Sequence, residues 1–156
     1  MTYERVYTVW DYYDGPRSGI ADYGGVPHHF VNEFDEDKDD YTNTFTLRPI
    51  DNTTLQLIIK QWDIWRSWEL AFHSGQRDKS SHPALPGQDE TYAQLGIEIK
   101  TEIDTNTAIA VLARADFRPR VNQPELPKGM LCELEVEWTG DPTDHSNNKA
   151  AKGHAV

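Results

Sequence analysis

The first third of the chain alternates between strand-like segments, rich in aromatic and β-branched residues, and short turns. Residues 3–14 form the first such segment, which ends in the turn Asp14-Gly15-Pro16. Residues 18–34 predict a β-hairpin, because Gly24-Gly25 divides them and a Gly-Gly loop suits the turns that hairpins prefer. Residues 41–48 place Tyr, Asn, Phe and Leu on one face and threonines and an arginine on the other. This alternation predicts a strand with one buried face.

Two helices are predicted in the middle of the chain. Residues 52–74 repeat apolar residues with a helical period, with Asp51 or Asn52 available as the cap and Gly75 as the stop. The apolar residues of this segment cover most of its circumference, so we expect a central helix rather than a surface one. They are Leu55, Leu57, Ile58, Ile59, Trp62, Ile64, Trp65, Trp68, Ala71 and Phe72. A second helix is predicted over residues 89–103 from a single apolar stripe.

Two further strands and a polar tail follow the helices. Residues 107–117 fit a strand or a helix, and we prefer the strand because Ile109, Val111 and Phe117 lie at even spacing. Residues 131–138 alternate between apolar residues and glutamates, which predicts a strand that turns Cys132 inward as a small apolar side chain. Residues 139–156 contain almost no large apolar side chain and are expected to be disordered.

The order of these segments is not the regular strand–helix alternation of a parallel sheet. It predicts an α+β fold, in which an antiparallel sheet of about five strands carries two helices packed on one face. A length of 156 residues and the lack of an internal boundary favour one domain over residues 1–138.

The charge of the chain narrows the kinds of partner. There are 26 acidic and 15 basic residues, a net charge of −11, so direct binding to the phosphates of nucleic acid is not expected. Between Glu33 and Asp40, six acids and one lysine contribute −5 of that total.

No apolar run reaches the length of about 18 residues that a membrane helix needs, so we expect no association with a membrane. A single cysteine and the lack of a signal pattern predict a cytoplasmic protein.

One group of polar residues interrupts the apolar side of the first helix. Arg66, Glu69 and His73 follow one another at spacings of three and four, so their side chains are neighbours. Either they form a structural network in the core, or they line a cleft. In the cleft, Glu69 would act as acid or base with His73, and Arg66 would bind the substrate. With His82 from the following loop, Glu69 and His73 are candidate ligands for zinc or another divalent ion, although we predict no cofactor.

A second candidate site lies at the end of the first strand. Residues 12–19 bring two tyrosines, an aspartate and Arg17 into one glycine-rich turn, and such loops often carry binding residues. If Arg17 faces the same opening as Trp10 and Tyr12, the two rings could stack on a planar ligand and the guanidinium group of Arg17 could bind an anionic one. The alternative is a plain turn whose tyrosines pack on the sheet.

The sequence carries no familiar catalytic or nucleotide-binding motif, such as GxGxxG, GxSxG, HExxH, CxxC or a phosphate-binding loop. We therefore expect a binding or interaction module, with an aromatic pocket between the tryptophan helix and the sheet or an aromatic surface. Its partner would be a small molecule, another protein or a second copy of the chain. One alternative is a small hydrolase-like enzyme that uses Glu69, His73 and His82. The other is an acidic inhibitor that imitates nucleic acid.

Overall fold

The computed structural model describes residues 2–76 and 82–140. Each predicted segment contains an element of the predicted type. The strand predicted over 107–117 is present from Val111, whereas residues 107–110, including Ile109, precede it. In chain order the elements are β1 (Glu4–Tyr12), β2 (Pro16–Tyr23), β3 (Val26–Asp35), β4 (Asp40–Pro49), α1 (Asn52–His73), α2 (Asp89–Asp104), β5 (Val111–Pro119) and β6 (Leu134–Gly140).

The strands close into an antiparallel barrel, so the predicted fold class is wrong. The segment order predicts an antiparallel sheet of about five strands with two helices packed on one face. Instead, six strands run around the barrel in the order β1-β2-β3-β4-β5-β6. The first and last strands meet where Glu4 pairs with Val136 and Arg5 pairs with Glu135. This pairing leaves neither β1 nor β6 as a free edge, which an open sheet would have to protect in another way.

Irregular pairing between β1 and β2 helps the sheet to curve. The register shifts at three places along this pair, and such irregularities bend a strand and increase its local twist. Gly19 lies within this region, and a Cβ atom at that position would stand 2.1 Å from the carbonyl oxygen of Thr8. The two backbones approach each other so closely that only glycine fits here.

Four aromatic rings fill the inside of the barrel. The centroids of every pair among Phe30, Phe45, Phe117 and Trp138 lie between 5.6 and 6.0 Å apart. Small side chains such as Ala21 and Ala113 complete the same core with Leu47 and Val136. A barrel of about eight strands has an interior that side chains just fill, so six strands leave less room still. The interior is therefore a packed core and not a ligand cavity.

The described residues form two compact units. The barrel unit contains residues 2–49, 108–118 and 134–140, and the helical unit contains residues 50–76, 82–107 and 119–133. The prediction of a single domain over 1–138 stays a prediction. Residues 139 and 140 of the predicted tail belong to β6, and the rest of that tail lies outside the described residues.

In the helical unit, hydrogen bonds define the start of α1 and connect α1 to α2. Asp51 caps α1 by accepting a hydrogen bond from the Thr54 backbone N–H at 2.8 Å, and this bond lowers the pKa of the Asp51 carboxyl. The Gln61 amide donates to the carbonyl of Tyr92 at 3.2 Å. Neither helix within the described ranges is long and apolar enough to cross a membrane.

Candidate functional site

The most exposed aromatic side chains of the barrel unit lie at one end of it. The β1–β2 turn and the β3–β4 turn both belong to this end, because β1 and β3 finish there and β2 and β4 begin there. Tyr12 is 59% exposed, Tyr13 is 70% exposed and Phe34 is 48% exposed. We call these three residues, together with Tyr41 and Arg17, the aromatic end.

Tyr41 is the centre of the aromatic end. The Tyr41 and Phe34 rings meet edge to face, with the centroids 5.1 Å apart and the planes at 86°, and the Tyr13 ring lies 6.4 Å from Tyr41. The guanidinium carbon of Arg17 stands 4.3 Å from the centroid of the Tyr41 ring. An arginine over an aromatic face at this distance makes a favourable cation–π contact. Two turns that are distant in the sequence are thus held together by one ring.

Arg17 is fixed in place by neutral acceptors. Its Nε donates to the carbonyl of Tyr13 at 2.7 Å, and its Nη1 donates to the side-chain oxygen of Asn32 at 2.7 Å. Asn32 is only 4% exposed, and its amide nitrogen also donates to the carbonyls of Thr42 and Thr44. Arg17 therefore positions Tyr13 and Tyr41, and most of its donors are already in use within the barrel unit.

A strongly acidic turn borders the aromatic end. We call Asp35, Glu36, Asp37, Asp39 and Asp40 the acidic tip; apart from Asp35, all of these residues are exposed. Asp35 accepts hydrogen bonds from the backbone N–H groups of Asp37 and Lys38, which shapes the turn. The ion pairs among the described residues lie elsewhere, at Arg66–Glu69, Lys100–Asp104, Arg118–Glu135 and Arg120–Glu133. None of these four ion pairs involves a carboxylate of the acidic tip.

The structure places the predicted ligand-binding residues in different surroundings. Tyr12 and Arg17 both belong to the aromatic end, and their role in binding stays a prediction. The Trp10 ring instead packs against His29, with centroids 5.5 Å apart. Burial, and next the charge of Arg48, lowers the pKa of His29.

The polar group on α1 has the geometry of an ion pair inside the helical unit. Arg66 Nη1 donates to Glu69 Oε1 at 2.8 Å, and Glu69 is 7% exposed. The charged end of Arg66 also lies 6.0 Å from the centroid of the Trp62 ring, which itself contacts Trp65. This arrangement favours the structural network over the cleft, because the buried carboxylate is already paired.

The two histidines proposed beside Glu69 pack against aromatic rings. The His82 ring lies nearly perpendicular to Trp68 with centroids 4.7 Å apart, and His73 contacts Phe72 at 5.1 Å. Trp68 and Phe72 are stacked, with centroids 5.0 Å apart. In the part of the chain that the structure describes, no three side chains of the metal-binding types come together as a site for an ion. The set Glu69, His73 and His82 therefore gains no support as a metal site.

The helical unit also has an open groove of about 310 Å³ between α1 and α2. It is lined by Lys60, Asp63, Ile64, Ser67, Gln88 and Thr91. None of these lining residues is aromatic, so the groove does not match the aromatic pocket predicted from the sequence.

Sequence reasoning missed Phe34, Tyr41 and Asn32 as parts of a site. The register of β3 and β4 pairs Phe34 with Tyr41 across the acidic turn. The signal in the sequence is the short acidic break between two strand-like segments, because a hairpin of 26–35 with 40–49 places the two rings opposite each other.

In comparisons with known proteins, no family model, no curated protein and no solved structure matches the chain.

Proposed function

We propose that the barrel unit is a binding module that holds a protein partner at the aromatic end. The observation that supports this most directly is the exposure of Tyr12, Tyr13 and Phe34 at one end of the barrel, where the rings of Tyr13 and Phe34 contact Tyr41. A few residues carry most of the binding energy at protein interfaces, and tyrosine, tryptophan and arginine are enriched among them. Exposed apolar groups that cluster in this way are typical of interaction sites rather than of an inert surface.

The packing of the barrel supports an external site. Phe30, Phe45, Phe117 and Trp138 occupy the interior, so a ligand cannot enter there without displacing the core. Small-molecule sites are usually concave and cover most of the ligand. The aromatic end is built instead from two hairpin turns with highly exposed rings, which suits a partner that brings its own complementary surface.

The rigidity of the aromatic end also supports binding. Asn32 holds Arg17 at 2.7 Å, and Arg17 lies against Tyr41 at 4.3 Å. Side chains that are ordered before contact lose less conformational entropy when a partner arrives. Arg17 and Tyr41 therefore need little rearrangement when a partner binds.

Affinity purification with matched variants tests this proposal. The variant Tyr13→Ser/Phe34→Ser removes two exposed rings and changes no charge. The control Leu70→Ser/Ile97→Ser removes two exposed apolar side chains from the helical unit. We expect proteins retained by the wild-type chain to be retained by the control and lost from the aromatic variant. Retention of the same proteins by the aromatic variant would overturn the proposal.

A further inference from the structure

We infer that the partner at the aromatic end is a basic protein segment, rich in lysine and arginine. This inference rests on the proposed function and names the chemistry of the partner. Its basis is that the exposed rings and the acidic tip share one hairpin: Phe34 in β3 pairs with Tyr41 in β4, and the residues between them form the tip.

The negative charge of this end indicates that the partner carries a positive charge. Residues 33–40 contain six acids and one lysine, which leaves −5 next to the exposed rings. Lys38 is already included in this total, and among the described residues the ion pairs involve none of these acids. An approaching cation is attracted, and like charges suppress an acidic partner.

The rings and the acids would act on the same side chains of a basic segment. Lysine and arginine carry a long apolar stem that can lie on an aromatic face. Their charged groups make cation–π contacts with ring faces and ion pairs with carboxylates. Tyr12, Tyr13 and Phe34 offer those faces within the same end of the barrel. One basic segment can thus use both features in a single contact.

The negative charge of this end also argues against a second copy of the chain or nucleic acid as the partner. A symmetric dimer through this surface would bring two acidic tips into one interface, since the same patch is used on both subunits. Nucleic acid would bring phosphates toward the acidic tip, which is again unfavourable. Two cations lie at this end: Lys38 is outnumbered by the surrounding acids, and the Nε and Nη1 of Arg17 are already bonded to Tyr13 and Asn32.

A labelled peptide tests the inference on the full chain. The probe is a fluorescein-labelled peptide in which lysine and arginine alternate with serine, and its counterpart carries glutamate at the basic positions. The tip variant is Glu36→Gln/Asp37→Asn/Asp39→Asn. Its control, Asp63→Asn/Glu98→Gln/Glu125→Gln, removes three exposed acids from the helical unit, so both variants have the same net charge.

We expect the basic peptide to bind the wild-type chain and the acidic peptide not to bind. Neutralising the tip should weaken binding about tenfold, while the control stays within about twofold of wild type. Raising the salt from about 0.05 to about 0.5 M should weaken wild-type binding more than that of the tip variant, because salt screens exposed charges. The aromatic variant Tyr13→Ser/Phe34→Ser should also lose about tenfold, because the rings contribute directly.

Each contrary result has a distinct meaning. No binding of the basic peptide, or equal weakening by the tip variant and its control, would overturn the inference of a basic partner. The proposed function would still stand if the aromatic variant lost the proteins that the wild-type chain retains. If that variant retained those proteins and also bound the peptide like wild type, both the proposed function and the inference would fail.

Discussion

The guanidinium carbon of Arg17 in β2 lies 4.3 Å from the centre of the Tyr41 ring in β4, across the barrel strand β3 that separates them. The contact exists because Asn32 in β3 accepts a hydrogen bond from Arg17 and donates to the backbone of the strand after the acidic tip. One buried amide therefore joins the two turns that carry the exposed rings. We therefore expect Asn32 to contribute strongly to the stability of the aromatic end.

Replacing Asn32 by leucine should destabilise the chain by about 2–3 kcal/mol. The carbonyls of Thr42 and Thr44 would lose a donor, and Arg17 would lose an acceptor. Urea unfolding measures the change. The control is Asn43→Ala, an exposed asparagine in β4 that should change the free energy of unfolding by less than about 0.5 kcal/mol. Equal effects of the two substitutions would contradict the role given to Asn32.

Gly19→Ala should cost about 3 kcal/mol of stability. The added Cβ would stand 2.1 Å from the Thr8 carbonyl oxygen, so β1 and β2 would have to separate. The comparison is Gly96→Ala in α2, where the new Cβ would meet only the flexible amide of Gln61 at 3.1 Å and alanine favours the helix. Thermal unfolding should show a large loss for the first variant and little or none for the second. A mild effect at Gly19 would mean that the two strands are not as tightly joined as described.

Local patterns predict the elements well, since the apolar periods of strands and helices are set by short-range geometry. The Gly24-Gly25 turn, the alternation after Asp40 and the long apolar helix all correspond to observed elements. Closure of the barrel does not follow from these patterns, because it depends on pairing between β1 and β6, at opposite ends of the described chain. An alternating pattern states which face of a strand is buried, but not which strand lies beside it.

The candidate site is predictable only in part for a similar reason. Tyr12 and Arg17 stand out because they share one glycine-rich turn. The alternation of residues 41–48 makes Tyr41 an ordinary inward residue of a strand, and its contact with Arg17 depends on how the two hairpins lie together. Trp10 is near Arg17 in the sequence, but its ring contacts His29 instead.

Arg66→Met should be more destabilising than the double variant Arg66→Met/Glu69→Leu. The single change leaves the carboxylate of Glu69 buried without its partner at 2.8 Å, which should cost about 3 kcal/mol. The double change removes both charges and should recover much of that loss. Urea unfolding of both variants decides between a structural pair and a functional one. If Arg66→Met left stability unchanged, Glu69 would not depend on the pair, and its role in a cleft would have to be reconsidered.

The stability of the chain should fall as the pH is lowered through the range where an unfolded histidine takes up a proton. Burial and the charge of Arg48 lower the pKa of His29 below its usual value of 6.5. The unfolded chain therefore binds a proton at this residue below about pH 6.5, whereas the folded chain does so only at lower pH. In that window the unfolded state binds more protons, so the free energy of unfolding decreases with falling pH.

The variant His29→Gln should reduce this pH dependence. The control is His82→Gln, which replaces an exposed histidine of the helical unit, and His29→Gln should reduce the pH dependence more than this control does. Unfolding in urea at a series of pH values between about 7.5 and 5 measures both slopes. An unchanged slope in His29→Gln would show that another group is responsible.

Mapping where the basic peptide binds tests most directly whether the aromatic end is the binding site. In an isotope-labelled chain titrated with the lysine–arginine–serine peptide, amide signals from residues 11–17 and 33–42 should shift, because these ranges carry the aromatic end and the acidic tip. Signals from α1 and α2 should stay in place. Shifts centred on the helical unit, or spread evenly over exposed acids in both units, would contradict binding of a basic segment at the aromatic end.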